Sequence, residues 1–168
     1  MKPYLKYAII TSAVIIIWTI VLYVSELDRT HAGQYLNWLN YPVMFLFIAL
    51  AMREQKTLNG GYIDFGDAFK TGLLMMVVVA VIMSAFTYVY FTYINPDFID
   101  FASEKARESM EERDLSDEEI EQGMEFMKIF MSPAAMTVMA LFGNIIIGAI
   151  FSLILAFFMK KKPDTVQS

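Results

Sequence analysis

The chain contains no cysteine in 168 residues. That absence removes disulfides, thiolate nucleophiles and cysteine-ligated zinc together. It has a single histidine, His31, in a polar stretch beside Glu26 and Asp28. One loop histidine with no Ser-His-Asp pattern, no histidine cluster and no paired intramembrane carboxylates makes no active site, and the expectation is a protein that is not an enzyme. Excess positive charge is also missing. Lys and Arg number 13 against 18 Asp and Glu, for a formal net charge of −5. Phosphate backbones need clustered cations, so no nucleic-acid partner is expected. Nor does any long apolar run carry a charge near its centre, which argues against a proton-coupled pump or a voltage sensor.

What the chain does have is apolar bulk. Hydrophobic residues make up 57% and aromatics 15%, with 13 Met and 14 Phe, above an ordinary soluble domain. The length suits one domain, read as a single membrane domain over residues 1–168. A membrane helix needs about 20 predominantly apolar residues. Three runs meet this directly: 7–24, 68–94 and 134–159. The first is too long for a signal-peptide core and lacks a small-x-small cleavage site after it, so it reads as an uncleaved span. The run 68–94 holds one charge, Lys70, near enough to its end to snorkel. A weaker run, 35–52, reaches spanning length only by including Asn37, Asn40 and Pro42. A three-span protein with a re-entrant second segment is the alternative.

Lys and Arg in short loops set orientation. Lys2 and Lys6 lie in the N-terminal segment, the loop between the second and third spans carries Arg53, Lys56 and Lys70, and Lys160, Lys161 and Lys162 follow the last span. Arg29 is alone in the first outer loop. Four spans put the basic segments on one side, with both termini cytoplasmic. Three spans would split them.

Residues 95–133 then face outward. Asn95-Pro96 ends the third span. Phe98, Ala102, Ala106 and Met110 form one helical apolar stripe, and Ile120, Met124, Met127 and Met131 form a second. Ser116 with Glu119 fits a capping box, and Ser132-Pro133 an N-cap with first-turn proline. The expected architecture is all-α: four transmembrane helices with an extracytoplasmic amphipathic helical hairpin between the third and fourth. Glu111, Glu112, Asp114, Asp117, Glu118 and Glu119 are dense enough to attract divalent ions weakly. They lack calcium-loop spacing and read as a solvated face. No metal and no cofactor are predicted.

Inside the spans the pattern is small residues in register. Ala140, Asn144, Gly148, Ser152 and Ala156 recur every four positions in the fourth span. Ala68, Gly72, Ala80 and Ser84 follow a similar face in the third, interrupted by Met76. Such faces allow close backbone approach. They predict that these two spans pack together, or that one packs against a second copy, with Gly72, Ala80, Ser84, Ala140, Asn144, Gly148, Ser152 and Ala156 as packing candidates. Asn144 is placed to hydrogen-bond across that seam, or to line a polar cavity with Asn37, Asn40 and Ser84.

The loop before the third span reads Asn59-Gly60-Gly61-Tyr62-Ile63-Asp64-Phe65-Gly66-Asp67-Ala68-Phe69-Lys70-Thr71-Gly72. Gly60-Gly61 is a turn, Asp64 a candidate N-cap, and Asp67 sits where the helix dipole favours negative charge. It is not a phosphate loop. The stretch from Gly61 to Gly72, together with Tyr93-Ile94-Asn95-Pro96-Asp97-Phe98 and the segment from Glu118 to Pro133, resembles a bacterial membrane family catalogued as domain of unknown function 4199. The resemblance covers nearly the whole chain. It implies a small multi-span protein of the Bacteroidetes inner membrane, and brings no activity or functional residue with it.

Two functional expectations follow. One is a non-enzymatic scaffold or accessory subunit of a membrane complex, with the lipid bilayer and a membrane protein partner or a homo-oligomer around it. The alternative is a small transporter or channel component for a neutral or weakly polar solute. It draws on the polar residues of the second span and Asn144, and lacks an evident inverted repeat.

Overall fold

The computed structural model describes residues 1–161; Lys162 of the basic tail lies outside the described residues. The elements are α1 (Pro3–Val24), a 3₁₀ turn (Leu27–Arg29), α2 (His31–Asn37), α3 (Asn40–Leu58), α4 (Phe65–Val89) with a π-helical turn (Tyr90–Ile94), α5 (Asp97–Glu111), α6 (Asp117–Phe130) and α7 (Pro133–Met159). Among the described residues there is no strand, apart from a single bridge between Ile63 and Lys161. Four helical runs are long and apolar enough to cross a membrane: Pro3–Val24, His31–Leu58, Phe65–Ile94 and Pro133–Met159.

Local chemistry sets the helix ends. Pro3 starts α1, where a missing N–H costs nothing. Asp64 caps α4 by accepting from the Asp67 N–H at 2.8 Å, and Ser132 caps α7 by accepting from the Ala135 N–H at 3.2 Å. Ser116 and Glu119 form the capping box of α6. α3 ends where the chain enters Gly60 and Gly61 at φ 75° and 92°, a left-handed region that glycine enters without a Cβ penalty.

The second span departs from the sequence reading. The helix does not stop at residue 52. It runs on through Arg53, Glu54, Gln55 and Lys56 to Leu58, because these are good helix formers. Arg53 and Lys56 are therefore helical rather than in a loop. Lys6 likewise lies inside α1, which starts four residues earlier than the apolar run. At the other end a turn at Trp38 and Leu39 separates α2 from α3. Pro42 sits in the first turn of α3, where proline is tolerated. With 19 residues, α3 alone is about 28 Å long, close to the hydrocarbon thickness of a bilayer.

The bundle core is filled by Ala8 and Ile15 of α1, Ile48 and Met52 of α3, and Met75, Met76 and Val79 of α4, all buried. Outward-facing positions are as apolar as the core, for example Ile17, Leu46, Val81, Phe142 and Ile146, as expected of helices solvated by lipid. One end of the bundle gathers the basic residues. Lys6 pairs with Glu54, Lys56 Nζ donates to the Met159 carbonyl at 3.0 Å, and Ile63 and Lys161 exchange backbone hydrogen bonds of 3.1 and 2.8 Å. The start of α1, the end of α3, the start of α4 and the end of α7 thus lie together.

Candidate functional site

Three features stand out on this frame: a seam between α4 and α7, a polar hub at the end of the bundle away from the lysines, and the α5–α6 pair beyond it.

The seam is built from small residues. A Cβ on Gly72 would collide with the Ser152 side chain and with Met52 Cε, and one on Gly148 would collide with Met76 Cβ and Cγ. Gly72, Ala80, Gly148, Ser152 and Ala156 are buried, whereas Ser84, Ala140 and Asn144 are half-buried. Met76, which interrupts the small face in sequence, is the side chain that fills the notch at Gly148. Asn144 does not reach across the seam. Its Nδ2 donates to the Ala140 carbonyl at 2.7 Å, one turn back in its own helix, rather than to a partner helix. The Ser84 hydroxyl also turns back, to the Val81 carbonyl at 2.9 Å. The cavity expected to join Asn144, Asn37, Asn40 and Ser84 is therefore not formed by those four.

The hub centres on Asn95, which is 1% exposed. Its Nδ2 donates to Asp28 Oδ2 at 2.8 Å and to the Tyr90 hydroxyl at 3.1 Å. Its Oδ1 accepts from the Arg29 guanidinium at 3.2 Å, and its backbone N–H closes the π turn onto the Tyr90 carbonyl at 2.7 Å. A buried amide with its donors and acceptor engaged rigidifies what it holds. Here it fastens the turn between α1 and α2 to the end of α4. π turns inside helices often mark functional sites. Gly33 of α2 sits against the Leu27 backbone so closely that a Cβ would overlap it, which fixes α2 beside the turn carrying Asp28.

Beneath Asn95 lies a cavity of about 210 Å³. Its polar lining is Thr19, Asp28, Asn37, Thr87 and Tyr90, and its apolar lining includes Met83, Phe86, Phe91 and Phe98. At the lysine end a wider cleft of about 680 Å³ opens among Lys2, Tyr4, Gln55, Asn59 and Lys70. The packed layer of Ile15, Ile48, Met75, Met76 and Val79 lies between the two.

α5 and α6 turn back on each other, with Gly123 against Met110 and the Ser103 hydroxyl 3.3 Å from Met131 Sδ. The stripe of Ile120, Met124, Met127 and Met131 is covered or half-covered. A second apolar face is not. Phe126, Ile129 and Phe130 fall at i, i+3 and i+4, and are 63%, 66% and 43% exposed. These three lie on one side of the helix, away from the covered stripe, a signal that was available in the sequence spacing. The acids Glu111, Glu112, Asp114, Asp117, Glu118 and Glu119 are all exposed. Among the described residues no three His, Asp or Glu side chains converge as a metal site would require. His31 is an exposed residue at the start of α2.

A family model described as protein of unknown function (DUF4199) matches residues 6–161. No curated protein and no solved structure matches the chain.

Proposed function

The chain belongs to the DUF4199 family, and on that footing we propose that it is a non-enzymatic scaffold or accessory subunit of a complex in the bacterial inner membrane. In this reading the four apolar runs are transmembrane helices, the lysine end and both termini are cytoplasmic, and α5–α6 is an extracytoplasmic hairpin. The observation that carries the reading is the uncovered face of Phe126, Ile129 and Phe130, beside α7 and its entry into the bundle. Aromatic and aliphatic anchors left without a partner are what an interface requires. The occupant proposed is the apolar surface of another membrane protein, seated at the outer boundary of the bilayer.

The test is extraction in a mild detergent followed by native separation. The expected result is co-migration with a second membrane protein, lost when Phe126 and Ile129 are both replaced by Ser. Recovery of the chain as a lone monomer under conditions that preserve known membrane complexes would overturn it.

A small transporter or channel component for a neutral or weakly polar solute is the second reading. The cavity holding Thr19, Asn37 and Thr87 favours it. The filled layer between that cavity and the lysine-end cleft weighs against a pathway through one copy.

A further inference from the structure

We propose that the cavity beneath Asn95 binds a small organic ammonium ion, with the Asp28 carboxylate as counter-charge and the Tyr90, Phe91 and Phe98 rings as its wall.

Asp28 is half-buried. Its one hydrogen bond within the described residues comes from the neutral Asn95 amide. The ion pairs among the described residues are Lys6–Glu54, Lys105–Glu108 and Arg107–Glu111, so none neutralises it. The neighbouring Arg29 shares the hub, on Asn95 Oδ1 and over the Phe101 ring at 5.8 Å, and makes no direct ion pair with the carboxylate. A carboxylate partly withdrawn from water and bonded directly to no cation has room on its cavity side for one. The same carboxylate lines a second depression with Tyr23, Glu26 and Arg29, where two acids face one guanidinium.

The walls select the kind of cation. Phe86, Tyr90, Phe91 and Phe98 form a chain of rings with successive centroids 5.6, 5.0 and 5.5 Å apart. Ring faces attract ammonium groups, and alkylated ones most readily, because their hydration is weak. Asp28 is the one carboxylate in this lining, a low charge count for a bare divalent metal ion. The volume of about 210 Å³ corresponds to roughly seven waters at about 30 Å³ each, which admits a group the size of ethanolamine or choline. Thr19, Asn37 and Thr87 supply hydrogen-bond partners for its polar end. Because Phe98 lies in the first turn of α5, occupancy would bear directly on the base of the α5–α6 pair.

Two sources present such an ammonium group, a free amine and a lipid headgroup, and the experiment separates them. Purified full-length chain in detergent is titrated calorimetrically with ethanolamine, choline and tetramethylammonium, and with neutral tert-butanol as control. Saturable binding of the ammonium ions and none of tert-butanol is expected. Asp28→Asn keeps an acceptor for Asn95 and should weaken binding by about tenfold or more. Thr87→Leu fills the cavity without touching the hub and should abolish it. Repeating the titration in nanodiscs assigns the source: competition by phosphatidylethanolamine, absent with phosphatidylglycerol alone, points to the headgroup, and equal binding in both to a free amine. No saturable binding by the wild-type chain, equal binding of tert-butanol, or unchanged binding in both variants would overturn the proposal.

Discussion

Gly148 of α7 lies directly against Met76 of α4, with no room for even a methyl group between them. In lipid the hydrophobic effect does not hold helices together, so dispersion at close range must. A methionine, unbranched and polarizable, seated over a glycine gives many contacts in a small area. The seam depends on that fit.

Gly148→Leu should therefore destabilise the bundle by about 1–3 kcal/mol, the usual cost of overpacking, and Gly148→Ala by less. A thermal-unfolding series in detergent measures this. An unchanged midpoint for Gly148→Leu would mean that α4 and α7 do not approach as described.

The other glycine of the seam separates packing from hydrogen bonding. Ser152 Oγ is buried without a hydrogen-bond partner among the described residues, so Ser152→Ala should be neutral or slightly stabilising. Gly72→Ala, which would press on that same serine, should be costly. If Ser152→Ala proved the more damaging of the two, the hydroxyl would have a partner and the seam would be polar in character.

The hub gives a third expectation. Asn95→Leu leaves the Arg29 guanidinium, Asp28 Oδ2 and the Tyr90 hydroxyl without their shared amide. Losing hydrogen bonds of a buried group costs about 1–3 kcal/mol, and the loop from Glu26 to Thr30 should loosen. Faster amide exchange confined to that loop and the π turn, with α3 and the seam unaffected, is the expected pattern. Uniform exchange changes across the whole bundle would show that the hub is not a local clasp.

These cases show what the sequence exposes. A stripe recurring every four residues is periodic, so the small faces of α4 and α7 and the stripe of α6 could be read directly. The role of Met76 could not, because it looks like a break in the pattern until its partner across the seam is known. Asn95 was visible as a turn residue before Pro96. Its partners Asp28 and Arg29 lie 67 and 66 positions away in the chain, and no local pattern announces a contact of that kind. Asn144 misled for a related reason. A polar residue on a packing face suggests a bond across it, yet the carbonyl four residues back competes and is always within reach.

The capping box of α6 makes a pH-dependent prediction outside the spans. The Ser116 backbone N–H, then its hydroxyl, bonds the Glu119 carboxylate and holds its pKa below the ordinary 4.5. A depressed folded pKa means the cap contributes fully above the unfolded value and is lost as pH falls through the folded one. The Ser116 amide resonance should titrate at a pH lower than in an unfolded peptide, and Glu119→Gln should abolish that titration. A midpoint at or above the ordinary value would show that the box is not formed.

Sidedness is the remaining step, and the missing cysteines make it directly measurable. Every thiol in a single-cysteine variant is one that was introduced. Asn59→Cys lies at the end of α3 beside the lysines, and Glu118→Cys lies in the first turn of α6. Both positions are exposed, so labelling reports access from one side or the other rather than burial. The lysine end gathers the start of α1 and the end of α7, and basic residues are retained on the cytoplasmic face. In intact bacterial cells stripped of their outer membrane, a membrane-impermeant maleimide should label Glu118→Cys at once and Asn59→Cys after permeabilisation. The reverse pattern would place α5 and α6 in the cytoplasm and remove the extracytoplasmic partner proposed for Phe126 and Ile129. Labelling of both before permeabilisation would break the four-span arrangement itself, since the two sites must then lie on the same side.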